Sequence, residues 1–361
     1  MKTRGRRKRP LRIGVIGSGF GRYGLVPAFR RDPRCEIVAV AASTLTSARR
    51  MAAQVEVPGA MLPSELAANP DIDVVAIATP PSAQVGLALE ALDAGKAVFA
   101  EKPFAVTVEE ARALVRRAEA TGATTAVDFT FGELTPWRQA RALVASGKLG
   151  RLRHLFLDWR MESFDNRHGI EGWKTRRSHG GGVLSHFGSH SFYYLEWLAG
   201  PIAGLQAKLS SAAGCGSGGD TLAVLAMQFA SGLSASMTLC NAAHLGTGHR
   251  LEIYGDSGTL HLVNDGPDPM GGFRLLVGGR DAAGLEDVTE VERSEAPAGE
   301  DPRVGPVHRL VTRFLDAVEA HGQMRPSFRD GLRAQELLAA ASRSDETGRW
   351  IDVRTTPAQR P

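Results

Sequence analysis

LRIGVIGSGFGRYGLVPAFRR, residues 11–31, decides the fold. Residues 11–16 are a tight apolar strand, Gly17-Ser18-Gly19-Phe20-Gly21 is a glycine turn, and a helical pattern runs on to about Arg31. Strand, glycine turn and helix in that order form the context in which such a motif cradles a dinucleotide. Gly17 permits the tight turn and Gly19 lets the backbone approach a pyrophosphate, while the helix N-terminus offers unpaired N–H groups to the anion. A strict G-x-G-x-x-G would place its third glycine at Arg22, whereas Gly21 stands one position early. Gly17, Gly19, Phe20, Gly21 and Arg22 are therefore the first cofactor candidates.

The pattern repeats downstream. Residues 35–41 (CEIVAVA) form an apolar strand followed by a helix over 46–54, and residues 73–78 (DVVAIA) lead into Thr79-Pro80-Pro81 and a helix over 83–94. KAVFAEKPF, residues 96–104, is a short buried strand ending abruptly in Glu101, Lys102 and Pro103. A helix over 108–120 and a strand over 124–127 follow. Strands alternating with helices specify a doubly wound parallel α/β sheet over residues 11–128, with its C-terminal strand ends facing one crevice. Gly17, Ser43, Thr79 and Lys102 would open onto it. The end of the second strand reads Ala41-Ala42-Ser43-Thr44, with no Asp or Glu between Ile37 and Val55 and with Arg49 and Arg50 on the next helix. An acid there would hold the ribose hydroxyls of NAD, so its absence, with Ser43 and Thr44 in its place, leans toward NADP over NAD.

From residue 129 the texture changes. A helix over 134–146 capped by Gly147 precedes short strands at 152–159, 203–210, 222–229, 233–239, 251–254, 259–263 and 273–277. Strands without intervening helices imply an open, mostly antiparallel sheet, hence an α+β domain over 129–353 for substrate and oligomerisation. Helices over 307–320 and 331–342 and a last strand over 350–353 close it, and 354–361 reads as a frayed terminus. A sheet face left open by its helices suits a homo-oligomer, dimer or tetramer.

The chemically dense segment is SHGGGVLSHFGSHSFYY, residues 178–194. His186 and His190 are four apart and share one face of a helix. The pair could ligate zinc, but Phe187 stands where a metalloprotease places its Glu and no third ligand follows, so no metal is expected. It could be a hydrogen-bonded interior pair, or one member could transfer protons.

The 361 residues, 43% hydrophobic and 23% charged, fit two globular domains. The formal charge of +4 includes six cations before Pro10, leaving about −2 for the rest. Residues 1–10 therefore read as a disordered basic tail, and nucleic acid is not the expected partner. No apolar segment follows the tail as in a signal peptide, and no stretch is long enough to span a membrane. Cys35, Cys215 and Cys240 are scattered. A cytoplasmic location is the expectation.

Taken together, the chain resembles the Gfo/Idh/MocA oxidoreductases, named for glucose–fructose oxidoreductase and inositol dehydrogenase. The resemblance spans residues 11 to 353. It rests on Gly17-x-Gly19-Phe20-Gly21, Ala78-Thr79-Pro80-Pro81, Glu101-Lys102-Pro103, Gly180-Gly181-Gly182 leading to Gly188-Ser189-His190, Gly258-Thr259-Leu260, and Arg325-Pro326-Ser327-Phe328-x-Asp330-Gly331. It implies a Rossmann domain and hydride transfer between a nicotinamide and a carbinol or carbonyl carbon of a sugar, cyclitol or related polyol. By the same resemblance Lys102 orients and polarises the reacting oxygen and His190 is its acid/base. Glu101, Thr79 and Pro80 line the nicotinamide side, and Trp173 and Lys174 reach toward cofactor and substrate.

Three positions depart from the family pattern: His186 and Tyr193 stand where carboxylates are usual, and Gln84 replaces a histidine. His186 and Tyr193 join the catalytic candidates, Gln84 the cofactor ones. Two neighbouring histidines should suppress one another's protonation. The loop Asp165-Asn166-Arg167-His168 through Arg176-Arg177 could suit an anionic substrate. Two other functions fit the same fold: a non-catalytic nucleotide-binding sensor, and a lyase or hydrolase that oxidises transiently and recycles its cofactor.

Overall fold

A computed structural model describes residues 9–212, 218–266, 268, 270–290 and 299–353. The tail up to residue 8, the terminus from 354 and Cys215 lie outside the described residues.

The first sheet contains β1 (Leu11–Ile16), β2 (Cys35–Ala41), β3 (Gly59–Met61), β4 (Val74–Ile77), β5 (Ala97–Ala100) and β6 (Thr125–Val127). Its order is β3-β2-β1-β4-β5-β6 and all its pairings are parallel. The order reverses direction at β1 and β4, the switch point where such sheets bind ligands. β4 is buried throughout, as its unbroken apolar run requires. Strand β3 and the helix Pro63–Ala68 are not foreseen by the pattern. Three half-buried residues starting at a glycine show no alternation to read.

The second sheet contains β7 (Leu152–Arg160), β8 (Ile202–Ser210), β9 (Leu222–Phe229), β10 (Ser234–Cys240), β11 (Gly248–Gly255), β12 (Gly258–Asn264), β13 (Arg274–Gly279), β14 (Glu286–Asp287) and β15 (Ile351–Asp352). Its order is β14-β13-β12-β11-β7-β10-β9-β8-β15. Every pairing is antiparallel except that of β7 with β10. Alternate residues of β9 and β10 are buried, so one face packs on helices through Trp137, Leu195 and Leu337. The other face leaves Phe156 and Val224 exposed.

The two sheets are tied by the C-terminal helices. Val304–Glu319 follows β14 in sequence, yet Phe314 meets Phe99 of β5 edge-on at 5.6 Å and completes the first sheet's core. Phe328 opens the helix Phe328–Thr347 and packs on Phe104 at 4.7 Å. Arg333 of that helix donates to Glu196 at 2.8 Å and to the Ile202 carbonyl at 2.7 Å. Lys102, after β5, thereby meets His186 at 3.0 Å, and Phe129, after β6, meets the His190 ring at 6.0 Å.

Candidate active site

The glycine turn is shaped as a dinucleotide cradle. Gly17 has φ +125°, and a Cβ there would stand 2.2 Å from the Ala78 carbonyl oxygen, so only glycine fits. Around Gly19 nothing lies within 4 Å of the place a Cβ would occupy, which leaves open space for a pyrophosphate. Thr79, just after β4, has a buried hydroxyl with no partner among the described residues. This orphaned group and open cradle fit a dinucleotide.

The helix after the turn does not start as α. Gly21–Leu25 is a π-helical turn, and Val26–Arg30 continues as α. Phe20 is a packing residue: the Arg303 guanidinium lies 4.4 Å over its ring, and Tyr23 meets it edge-on at 5.6 Å. Arg22 donates to Gln54 at 2.5 Å. Ser43 is exposed at the crevice rim, but the Thr44 hydroxyl is engaged as the N-cap of Leu45–Gln54, accepting from the Ser47 amide at 3.1 Å. Arg303, held by Asp301 at 2.6 Å, is a site residue that the sequence reading missed. It lies nearly 300 residues from the glycine turn, and no local motif marks it.

The reacting end is a compact cluster. Lys102 Nζ lies 3.0 Å from His186 Nδ1. Burial lowers the Lys102 amine to about 8; Glu101 opposes the shift, while Lys174 and Arg303 add to it. An ammonium has only donors, so Nδ1 of His186 is the acceptor and its proton sits on Nε2. Burial, followed by the Lys102 charge, holds both His186 and His190 well below the usual imidazole range. His186 further depresses His190, as expected for neighbouring histidines. His190 is wedged between Phe131 and Phe129, with ring centroids 5.1 and 6.0 Å away, and its Nδ1 has no partner among the described residues. Two neutral imidazoles therefore flank one titratable lysine.

Three candidates are not placed as expected. Tyr193 lies on the far side of Phe129, stacked on it at 4.6 Å, and lines a separate cavity of about 510 Å³ with Arg325 and Asp330. Phe129 separates it from His190. Gln84 is fully buried and does not face the crevice: its amide nitrogen donates to the carbonyls of Glu101, Pro103 and Phe104 at 2.7, 3.2 and 3.1 Å. It braces the lysine turn from behind. Replacing it with Leu strands those buried acceptors, which should cost about 2 kcal/mol. Urea unfolding of Gln84→Leu checks this, and unchanged stability would refute the bracing role. The predicted anion loop is also largely occupied, with Arg176 on Glu171 at 3.0 Å and Arg177 on Glu346 at 3.3 Å.

Trp173 and Lys174 do approach the cluster. The Trp173 ring lies 6.1 Å from His186, while Lys174 is exposed and pairs with Asp165 at 3.4 Å. The triple glycine seats them: a Cβ on Gly181 would stand 2.2 Å from the Trp173 carbonyl oxygen. Asp220 completes the corner by accepting from the Leu184 amide at 2.7 Å. Asp128, directly after β6, is a second residue that the sequence reading missed. It is buried beside Glu101 and Lys102. The signal was present, since a carboxylate follows an apolar strand there just as Glu101 follows β5.

Comparison with known proteins supports the fold and places the family. Residues 11–129 match the oxidoreductase family's NAD-binding Rossmann fold, and residues 141–353 match its C-terminal alpha/beta domain. An uncharacterised oxidoreductase of Synechocystis is 31% identical over 95% of this chain and 96% of its own length. Inositol 2-dehydrogenase of Rhizobium meliloti is 27% identical over 95% of this chain and 99% of its own. A solved levoglucosan dehydrogenase, in complex with NADH and levoglucosan, superposes with a TM-score of 0.86 at 22% identity, covering 96% of this chain and all of that one. The chain belongs to the Gfo/Idh/MocA oxidoreductase family. No helix among the described residues is long and apolar enough to cross a membrane.

Proposed function

We propose that this oxidoreductase interconverts a secondary alcohol and a carbonyl on a sugar, cyclitol or related polyol, with Lys102 and His190 handling the reacting oxygen and its proton. The carrying observation is the Lys102 amine, lowered to about 8 and 3.0 Å from a neutral His186, at the C-terminal end of β5. A bound nicotinamide would supply or accept hydride at its C4. Gly17, Gly19 and Thr79 would hold the dinucleotide, and Trp173 would close the site against water. Lys102 Nζ donates to the substrate oxygen. In the oxidation direction the hydroxyl proton passes to the neutral imidazole of His190, or to His186 across the Nζ–Nδ1 contact. A group titrating near 8 suits either direction at physiological pH. The names of the relatives, inositol 2-dehydrogenase and levoglucosan dehydrogenase, support the substrate class.

The test is incubation with oxidised or reduced cofactor and a panel of sugars, cyclitols and anhydrosugars, following nicotinamide absorbance together with product analysis. Tight cofactor binding without turnover across the panel would favour a sensor, and product without net cofactor change would favour a lyase. The cofactor lean is tested separately. With no acid at the end of β2 and Ser43 exposed there, NADPH should bind at least as tightly as NADH in fluorescence titration. A tenfold preference for NADH would reverse that reading. The open sheet face bearing Phe156 and Val224 supports homo-oligomerisation.

A further inference from the structure

Ala100 of β5 pairs with Val127 of β6, so the residues that follow, Glu101 and Asp128, leave the sheet side by side. The Asp128 amide donates to the Ala100 carbonyl at 2.9 Å, which holds the two strand ends together. Asp128 is 3% exposed, and its carboxyl lies against that of Glu101. Glu101 Oε1 and Asp128 Oδ1 are both sealed from solvent with no other partner among the described residues. Two carboxyls in such contact cannot both be ionised, so they share one proton. Glu101 Oε2 accepts from the Lys102 amide at 3.3 Å, a stabilisation of negative charge that Asp128 does not have. The charges that reach Asp128 are Glu101, Lys102 and Arg303, and burial with the Glu101 charge holds its carboxyl well above the usual range.

We propose that Asp128 is a positioning residue: a neutral acid that donates a hydrogen bond to Glu101 and holds that carboxylate's charge beside Lys102. Lys102 thus meets a fixed counter-charge on its strand side and the neutral His186 on its cleft side. The lysine that handles the substrate oxygen would be tuned from behind by a residue that touches neither substrate nor cofactor.

The proposal rests on Lys102 as the reacting lysine, but its test needs no turnover. In the apo protein at neutral pH the infrared spectrum should show the C=O stretch of one protonated buried carboxyl. Asp128→Asn should abolish that band. Lys102 should still titrate near about 8 in Asp128→Asn, which keeps an N–H donor to Glu101, as read by pH-dependent acetylation and mass spectrometry. In Asp128→Ala, which has no donor, the titration should move to lower pH. A band that survives Asp128→Asn, or identical Lys102 titrations in the Asn and Ala variants, would overturn the proposal. Inactivity of the wild-type enzyme on every polyol tried would instead count against the functional reading alone.

Discussion

Lys102→Met is expected to lower kcat/KM for the polyol by about 10³-fold while leaving NAD(P)H affinity within a factor of about three. Methionine nearly matches the lysine stem in length and removes both the charge and the donors at Nζ. In the proposed function the dinucleotide would be held by the glycine turn and Thr79, none of which touches Nζ in the observed bonds, so binding should survive. The same variant should change the pH profile. With the amine near 8, well under the ordinary value of about 10.4, wild-type oxidation should fall as pH rises through that region, because the neutral amine no longer polarises the substrate oxygen with its charge. Lys102→Met should lose that limb, because His186 and His190 are already neutral far below it. Full turnover in the variant would remove Lys102 from the mechanism.

The parts of this site that could be read from the chain are those built from local runs. β1 and β2 coincide with the predicted strands because each is an apolar run closed by a turn, and the second sheet was legible as a run of short strands, such as Leu222–Phe229, with no helices between them. The lysine turn was legible for the same reason, as charge placed abruptly at the end of an apolar strand. Motif position could not reveal which way a side chain leaves its helix. Leu184–Gly188 is a π-helical turn before Ser189–Ala199 becomes α, so angular spacing counted on an ideal helix drifts across it. His186 and His190 end up facing Lys102, while Tyr193 falls behind Phe129. Gln84 likewise occupies its motif position but turns inward, because three carbonyls of the lysine turn need a donor there. Arg303 required the tertiary structure, since only the packing of Val304–Glu319 on the first sheet brings it over Phe20.

Gly17 and Gly19 are two residues apart and should fail in opposite ways. At Gly17 a methyl group would stand 2.2 Å from a backbone carbonyl at φ +125°, so the turn and β4 must move apart. Gly17→Ala should therefore destabilise the apo protein by about 3 kcal/mol and weaken cofactor binding as a consequence. At Gly19 nothing stands within 4 Å, and Gly19→Val should leave apo stability within about 0.5 kcal/mol. Its side chain would instead fill the space through which a pyrophosphate approaches the backbone, raising the NAD(P)H dissociation constant by more than about tenfold. Urea unfolding and fluorescence titration of both variants separate the two effects. If Gly19→Val bound cofactor normally, the pyrophosphate would have to sit elsewhere, and the glycine turn would be a tight strand-to-helix connection and nothing more. If Gly17→Ala were as stable as wild type, the contact between the turn and β4 would not be what sets the width of the crevice.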